Sequence, residues 1–132
     1  MKVLVATEKP FAKAAVDGIK QILSDANFEV VMLEKYTEKA ELLAAVADVD
    51  ALIIRSDKVT PEVVDAAKNL KIVVRAGAGY DNVDLAACTA REIVVMYTPG
   101  QNSNAVAELA LGMMIYMSRN KFTPGTGKEI KG

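Results

Sequence analysis

Short apolar runs alternate with segments of helical periodicity along this chain, and that alternation constrains its fold more than any other feature. The runs of strand length lie at residues 2–6, 29–33, 51–54, 72–74 and 93–96. Between the first two runs, apolar residues recur at helical spacing, as at Ala15, Ile19 and Ile22. Strands that alternate with helices form parallel sheets with right-handed crossovers. We therefore predict an α/β fold, a flavodoxin-like doubly wound sheet of five strands in the order 2-1-3-4-5.

Local signals set the expected limits of the helices. The predicted helices include residues 11–26, 37–48, 83–91 and 102–119, and another begins after Thr60. Thr37 is the expected N-cap of the second helix, and Thr60, followed by proline, that of the third. Asp81 and Asn82 are expected to form a turn and cap before the fourth helix. Residues 123–132 are polar and rich in glycine, which predicts a linker.

Composition excludes several classes of function. The chain has 132 residues, the length of one domain, and its 16 basic residues are balanced by 17 acidic ones. That balance argues against binding to nucleic acid or to an anionic membrane. There is no histidine and one cysteine, Cys88, so this chain holds no histidine general base and no cysteine-rich metal site, and we expect a cytoplasmic protein. The longest nearly apolar run, residues 105–117, contains Glu108 and is too short to span a bilayer.

The most informative polar residues follow the third and fourth predicted strands. Arg55 and Arg75 stand at equivalent strand ends, and adjacent strands lie about 4.8 Å apart. Both guanidinium groups can then converge on one anion, since ligands of such sheets bind beyond the carboxyl ends of the strands. Gly77 and Gly79 would let the backbone approach that anion closely. The sequence thus predicts an anion site.

Other interpretations of these residues exist. In the structural alternative, Arg55 and Arg75 pair with nearby carboxylates such as Asp57 and Asp81. Two arginines at equivalent positions, one beside a glycine-rich loop, favour the anion site over these pairs. The loop is no autonomous dinucleotide site, because Asn82 occupies the third glycine position of the fingerprint and the loop follows the fourth strand.

The last predicted helix is apolar on nearly every side, and such a helix is buried on more than one face. It is either a core helix of this small domain or packs partly against another domain or subunit. We favour the second, because a helix on a five-stranded sheet needs only one apolar stripe, and we expect the chain to self-associate. Cys88 is predicted to be a small core residue.

Three segments occur together in the order and spacing of a known family. They are residues 54–56 (IRS), 74–84 (VRAGAGYDNVD) and 98–108 (TPGQNSNAVAE). On these motifs the chain resembles the D-isomer-specific 2-hydroxyacid dehydrogenase family over essentially its whole length. The resemblance implies that residues 1–100 are the substrate-binding (catalytic) domain and that 101–132 are a connecting helix and linker that lead to an NAD-binding domain.

The resemblance also implies roles for particular residues. The substrate, a small phosphorylated hydroxy acid, would be bound by Arg55, Ser56, Arg75, Ala76, Gly77 and Gly79. The cofactor NAD would lie near Ala78, Asn102 and Val106. Family members form homodimers, here through the helix at 102–119, and no metal site is implied. Members that reduce glyoxylate or hydroxypyruvate are the alternative within the family, and a non-catalytic anion-binding module is the alternative outside it.

The chain departs from the family pattern in two ways. Tyr97 stands where the family usually has asparagine before Thr-Pro. The glycine-rich cofactor motif, the acidic ribose-binding residue and the catalytic arginine, glutamate and histidine lie later in family members and are absent from these 132 residues. We therefore expect a portion of a dehydrogenase of serine biosynthesis that is inactive by itself and does not bind NAD independently.

Overall fold

Five strands and five helices alternate in the computed structural model, which describes residues 1–119. They are β1 (Lys2–Thr7), α1 (Lys13–Asp25), β2 (Glu29–Glu34), α2 (Lys39–Val46), β3 (Ala51–Ile54), α3 (Pro61–Ala66), β4 (Ile72–Arg75), α4 (Leu85–Ala90), β5 (Val94–Tyr97) and α5 (Ser103–Ser118). All strand pairs are parallel, in the order β2-β1-β3-β4-β5. The predicted fold class and strand order are confirmed.

The register of the strands brings their carboxyl ends to one edge of the sheet. Thr7 pairs with Glu34 across β1 and β2, Ile54 with Arg75 across β3 and β4, and Arg75 with Tyr97 across β4 and β5. We call this end of the sheet the carboxyl edge. Because the strands end together, the loops that follow them are neighbours, although long stretches of sequence separate them.

The main hydrophobic core fills the space between the sheet and the helices α2, α3 and α4. Its fully buried members include Leu4, Leu52, Ile54, Val46, Val63, Val73 and Cys88. Burying an aliphatic side chain of this size stabilises a fold by roughly 1.5–3 kcal/mol. Cys88 is a core residue, as predicted, and burial raises the pKa of its thiol.

Two helix caps differ from the sequence predictions. α2 begins at Lys39 with Glu38 as its N-cap, and the Glu41 carboxylate accepts the backbone N–H groups of Thr37 and Glu38 at 3.1 Å each. The predicted cap Thr37 is therefore wrong: it lies one residue before the cap, and the carboxylate at the third helical position, as in a capping box, accepts the N–H of the cap residue Glu38. The cap of α4 is Asp84, which accepts the Ala87 N–H at 2.8 Å.

The structure places residues 81–82 in a turn before α4, as predicted, but not at its cap. Thr60 is the N-cap residue of α3, as predicted, with a proline in the first turn, although its hydroxyl makes no capping bond. Both cap positions depend on which residue first adopts helical dihedrals, which periodicity alone does not resolve.

The chain divides into two compact units between Pro99 and Gly100. Gly100 has a φ of 76°, a left-handed conformation that glycine adopts without strain, and this explains a glycine before α5. In α5 the large apolar side chains are exposed, for example Leu109 at 64% and Met114 at 62%. No helix within residues 1–119 is long and apolar enough to cross a membrane. The predicted linker at 123–132 lies outside the described residues.

Candidate anion-binding site

The predicted site residues of the first unit lie together on the carboxyl edge. Arg55 and Ser56 directly follow β3, and Arg75 is the last residue of β4. Beyond the strands, the Ala76 N–H donates to the Ile54 carbonyl at 2.8 Å, and the Thr98 N–H donates to the Gly77 carbonyl at 2.9 Å. Sheet-like pairing thus extends into the loop at 76–79 and fixes its path.

The Arg75 side chain folds back over this loop. Its Nε donates a hydrogen bond of 2.9 Å to the carbonyl oxygen of Arg55. A β-carbon at Gly77 would overlap the Arg75 guanidinium, so that group lies directly over the glycine. The absence of a side chain at Gly77 leaves the space that the Arg75 guanidinium occupies, a role that differs from the predicted close approach of the backbone to an anion.

Neither Arg55 nor Arg75 pairs with a carboxylate of residues 1–119. Among residues 1–119, the side-chain ion pairs are Lys2–Asp48, Lys39–Glu62 and Lys71–Asp50. The alternative in which Asp57 and Asp81 neutralise the arginines is therefore wrong for the described structure. Arg55 is exposed to solvent and Arg75 is partly exposed. Two guanidinium groups on neighbouring strands thus remain without an anionic partner inside this part of the chain.

Asp57 binds backbone and hydroxyl groups instead of a guanidinium. It is 3% exposed. Its Oδ1 accepts the Glu8 N–H and the Tyr36 O–H, each at 2.8 Å, and its Oδ2 accepts the Arg55 N–H at 3.3 Å. Burial, reinforced by the hydrogen bond to Asp57, raises the pKa of the Tyr36 hydroxyl above its ordinary value of 10.0.

Asn82 joins the loops that follow β3 and β4. Its Nδ2 donates to the carbonyl oxygens of Asp57 at 2.7 Å and of Arg55 at 3.4 Å. A short parallel bridge pairs Val59 with Val83 beside it, and the Val59 N–H donates to the Asn82 carbonyl at 2.9 Å. The residue that breaks the dinucleotide fingerprint is therefore a structural tie between two loops of the site.

Ser56 lines a cleft of about 450 Å³ on the side of the carboxyl edge that carries β1 and β2. Its other lining residues are Glu8, Tyr36, Thr37, Lys39, Lys58 and Thr60. Arg55 and Arg75 lie outside this cleft, so the predicted anion-binding residues form an open surface whose serine borders the cleft.

Three further predicted site residues lie in the loop after β4 and at the start of α5. Ala78 is partly exposed in the loop after β4. Asn102 is the N-cap residue of α5 without a capping side-chain bond, and Val106 is exposed on that helix. Tyr97, in place of the family asparagine, packs edge-to-face on Tyr80 with ring centroids 5.1 Å apart.

Within residues 1–119, no group of cysteine or acidic side chains is placed to hold a metal ion.

Two proteins of similar sequence and one solved structure show what this chain resembles. The chain is 46% identical over 101 residues to the D-3-phosphoglycerate dehydrogenase of Sus scrofa, covering 76% of this chain and 19% of that protein. It is 42% identical over 93 residues to the hydroxypyruvate reductase of Thermotoga maritima, covering 70% and 30%. It superposes with a TM-score of 0.86 and 54% identity on the NAD+-bound 3-phosphoglycerate dehydrogenase of Entamoeba histolytica, covering 99% of this chain and 43% of that one.

The chain thus spans between a fifth and a third of the length of these two sequence relatives. Residues 5–129 match the catalytic domain of the D-isomer specific 2-hydroxyacid dehydrogenases, nearly the whole length of the chain. The motif resemblance, the parallel sheet and the superposition on an NAD+-bound relative agree. The chain belongs to the D-isomer-specific 2-hydroxyacid dehydrogenase family.

Proposed function

We propose that this chain is the substrate-binding portion of an NAD-dependent D-3-phosphoglycerate dehydrogenase, which transfers a hydride between 3-phosphoglycerate and NAD in serine biosynthesis. The observation that carries the proposal is the pair of arginines at the ends of neighbouring strands, which have no carboxylate partner within the described residues 1–119. A phosphorylated hydroxy acid supplies the anionic groups that such a pair binds.

The position of Arg75 suits it to phosphate recognition. A guanidinium has five N–H donors in a planar arrangement. In Arg75 the Nε–H is used by the Arg55 carbonyl, which fixes the plane of the group and leaves the Nη donors for an oxyanion. The exposed Arg55 guanidinium and the Ser56 hydroxyl, which borders the cleft, would complete the phosphate or carboxylate contacts. The backbone at residues 76–79 would face the reacting end of the substrate.

The described residues fit only part of a dinucleotide cofactor. The loop at 76–79 carries Gly77 and Gly79, but Asn82 occupies the third glycine position of the dinucleotide fingerprint. Its side-chain amide donates to the loop that follows β3. A pyrophosphate cradle is therefore not formed in this loop, and the family resemblance implies instead that Ala78 lies near the cofactor. NAD, when bound, supplies the hydride acceptor.

We propose that the group that transfers the proton at the C2 hydroxyl lies outside these 132 residues. The chain contains no histidine, so we propose that the catalytic histidine, with an arginine and a glutamate, belongs to the remainder of a whole protein as long as its relatives. Residues 1–132 alone would then show no dehydrogenase turnover. Measurable turnover by the purified 132-residue chain would overturn this assignment.

We further propose that the whole enzyme is a homodimer in which the helix at 102–119 contributes to the interface. Apolar side chains on several sides of α5 are exposed, and patches of that kind mark protein–protein contacts.

A second candidate is a hydroxypyruvate or glyoxylate reductase, which the identity to the Thermotoga maritima protein favours. A non-catalytic anion-binding module is the third. The full-length protein should be assayed with 3-phosphoglycerate and NAD, and in the reverse direction with hydroxypyruvate or glyoxylate and NADH. We expect the phosphorylated acid to have the highest kcat/KM, whereas a preference for hydroxypyruvate favours the reductase and absence of turnover with all substrates favours the module.

The variants Arg55→Ala and Arg75→Ala test whether these two side chains bind the anion, as distinct from an effect of the overall charge of the protein. Each should weaken the binding of 3-phosphoglycerate, measured by calorimetry, by at least about tenfold, since a charge-assisted hydrogen bond contributes about 1.5–3 kcal/mol. Lys20→Ala, which removes one exposed charge from α1, is the control and should leave the affinity unchanged. Equal affinity in all three variants contradicts the proposed site.

A further inference from the structure

Asp57 is a buried carboxylate without a cationic partner among residues 1–119. Burying an ionised carboxylate costs free energy unless hydrogen bonds replace its water. Here three donors do so, from Glu8, Tyr36 and Arg55. The motif at residues 54–56 ends one position before Asp57. All three hydrogen bonds join the carboxylate to residues at the carboxyl edge, beside the two arginines.

The donors that reach Asp57 come from three neighbouring strands. Glu8 directly follows β1, Tyr36 lies two residues after β2, and Arg55 directly follows β3. Since the sheet order places β2, β1 and β3 side by side, one carboxylate holds the ends of three adjacent strands. Two side chains, one at the end of β4 and one in the loop after it, donate to the main chain of residues 55–57. Arg75 donates to the Arg55 carbonyl, and Asn82 donates to the Asp57 carbonyl.

The backbone N–H and carbonyl groups of Arg55 connect the Asp57 carboxylate to the anion site. The Arg55 N–H donates to Asp57, and the Arg55 carbonyl accepts the Nε–H of Arg75. The orientation of this residue's backbone therefore decides where its own side chain begins and where the Arg75 guanidinium is held. If the carboxylate is removed, the segment at 55–57 loses the bonds that fix that orientation.

We propose that Asp57 is a positioning residue for substrate binding: it fixes the backbone of Arg55 and Ser56 and, through the Arg55 carbonyl, the guanidinium of Arg75. It does not contact the anion, because its oxygens are turned to the three donors. The inference rests on the proposed function of the arginine pair and extends it to a residue that no family motif marks.

Asp57→Asn tests the proposal on the full-length protein. The amide keeps one oxygen for Glu8 and Tyr36 but turns an N–H₂ group towards the Arg55 N–H, so the bond that orients Arg55 is lost. We expect a dissociation constant for 3-phosphoglycerate, measured by calorimetry well below the unfolding temperature, about tenfold higher than that of the wild type. A wild-type dissociation constant in folded Asp57→Asn overturns the proposal.

Asp50→Asn is the matched control. Asp50 precedes β3 at the opposite end of the same strand, and its carboxylate likewise accepts a backbone N–H, that of Lys2 at 2.9 Å, and a side-chain donor, Lys71 at 2.9 Å. This variant should lower the unfolding temperature while leaving the affinity for 3-phosphoglycerate unchanged. If it weakens binding as much as Asp57→Asn does, the effect is a general loss of stability and the proposal fails.

A mutant cycle distinguishes positioning from an independent contribution. If Asp57 acts through the two guanidinium groups, then Asp57→Asn in an Arg55→Ala, Arg75→Ala background weakens binding by much less than tenfold. Additive losses contradict the proposal while leaving the arginine site intact. If Arg55→Ala and Arg75→Ala bind as the wild type does, the proposed function fails and this inference falls with it.

Should Asp57→Asn fail to fold, Tyr36→Phe takes its place, because it removes one hydrogen-bond donor to Asp57 and no charge. We expect this variant to bind 3-phosphoglycerate about twofold to threefold more weakly than the wild type. Unchanged binding counts against the proposal.

Discussion

The Nε of Arg75 donates to the carbonyl oxygen of Arg55 at 2.9 Å, so the backbone of one arginine orients the side chain of the other. This bond crosses between neighbouring strands, at the position where the register pairs Ile54 with Arg75. It explains how the Arg75 guanidinium is held without a carboxylate partner among residues 1–119: the group is held by the dipole of a carbonyl rather than by a charge, and its outer N–H groups stay available.

Replacing Gly77 should disturb Arg75 more than the fold. In Gly77→Ala the new β-carbon would overlap the guanidinium, which is the flexible end of a side chain and can move away. We expect a change of less than about 1 kcal/mol in the free energy of unfolding and several-fold weaker binding of 3-phosphoglycerate. Urea titration and calorimetry on the same samples measure the two effects, and unchanged affinity would show that the position of Arg75 does not matter.

Gly18→Ala is the contrasting glycine substitution. Gly18 lies inside α1, and a β-carbon there meets nothing within 4 Å. Alanine is favoured over glycine in a helix interior by about 0.5–1 kcal/mol. The variant should therefore unfold at a higher urea concentration than the wild type, with unchanged binding, and a lower midpoint would refute this.

Truncation of Leu52 should be among the costly core substitutions. Its side chain is 0% exposed in the middle of β3, so Leu52→Ala removes buried methyl groups and leaves a cavity. The expected loss is about 2–5 kcal/mol in the free energy of unfolding. Ile22→Ala on α1, where the side chain is 70% exposed, is the control and should change the value by less than about 0.5 kcal/mol.

The protein should lose stability in alkaline solution. Burial raises the pKa of Cys88 above its ordinary 9.0 and that of Tyr36 above 10.0. The folded state then keeps both protons after the unfolded state has released them, so the stabilisation is complete below about pH 9 and declines as the pH rises through and beyond these ordinary values. Urea unfolding between pH 7 and 11 measures the decline.

Tyr36→Phe and Cys88→Ala provide the check on that decline. Neither variant can ionise at the substituted position, so each should lose less stability than the wild type between pH 9 and 11. A decline identical to that of the wild type in both variants would mean that other groups are responsible.

Association through α5 should depend on its exposed apolar residues. Leu109 and Met113 are one helical turn apart and 64% and 58% exposed. Replacing both by lysine should shift the sedimentation of the protein towards the monomer, because two charges would have to be desolvated at the contact. Ile22→Lys on α1 is the control and should leave the association state as it is.

The sequence alone determined the architecture of the first unit and the neighbourhood of its site. Periodicity of two kinds is local information, and it gave five strands, the intervening helices and, with the rule for ligands of parallel sheets, the arginines at the carboxyl edge. It failed at the cap of α2, which is Glu38 and not Thr37, because several polar residues near a helix start can serve as the cap and periodicity does not choose between them.

Only the tertiary structure decided how the site is held. From the sequence, Asp57 is a candidate ion-pair partner of an arginine. In the structure its hydrogen-bond donors include Glu8, 49 residues away, and Tyr36, 21 residues away. Such bonds depend on strand order and register, which bring distant loops together, and no local pattern encodes them. The position of the Arg75 guanidinium over Gly77 likewise depends on the tertiary structure: Arg75 is only two residues from Gly77, but the Arg55 carbonyl at the end of the neighbouring strand holds the guanidinium there.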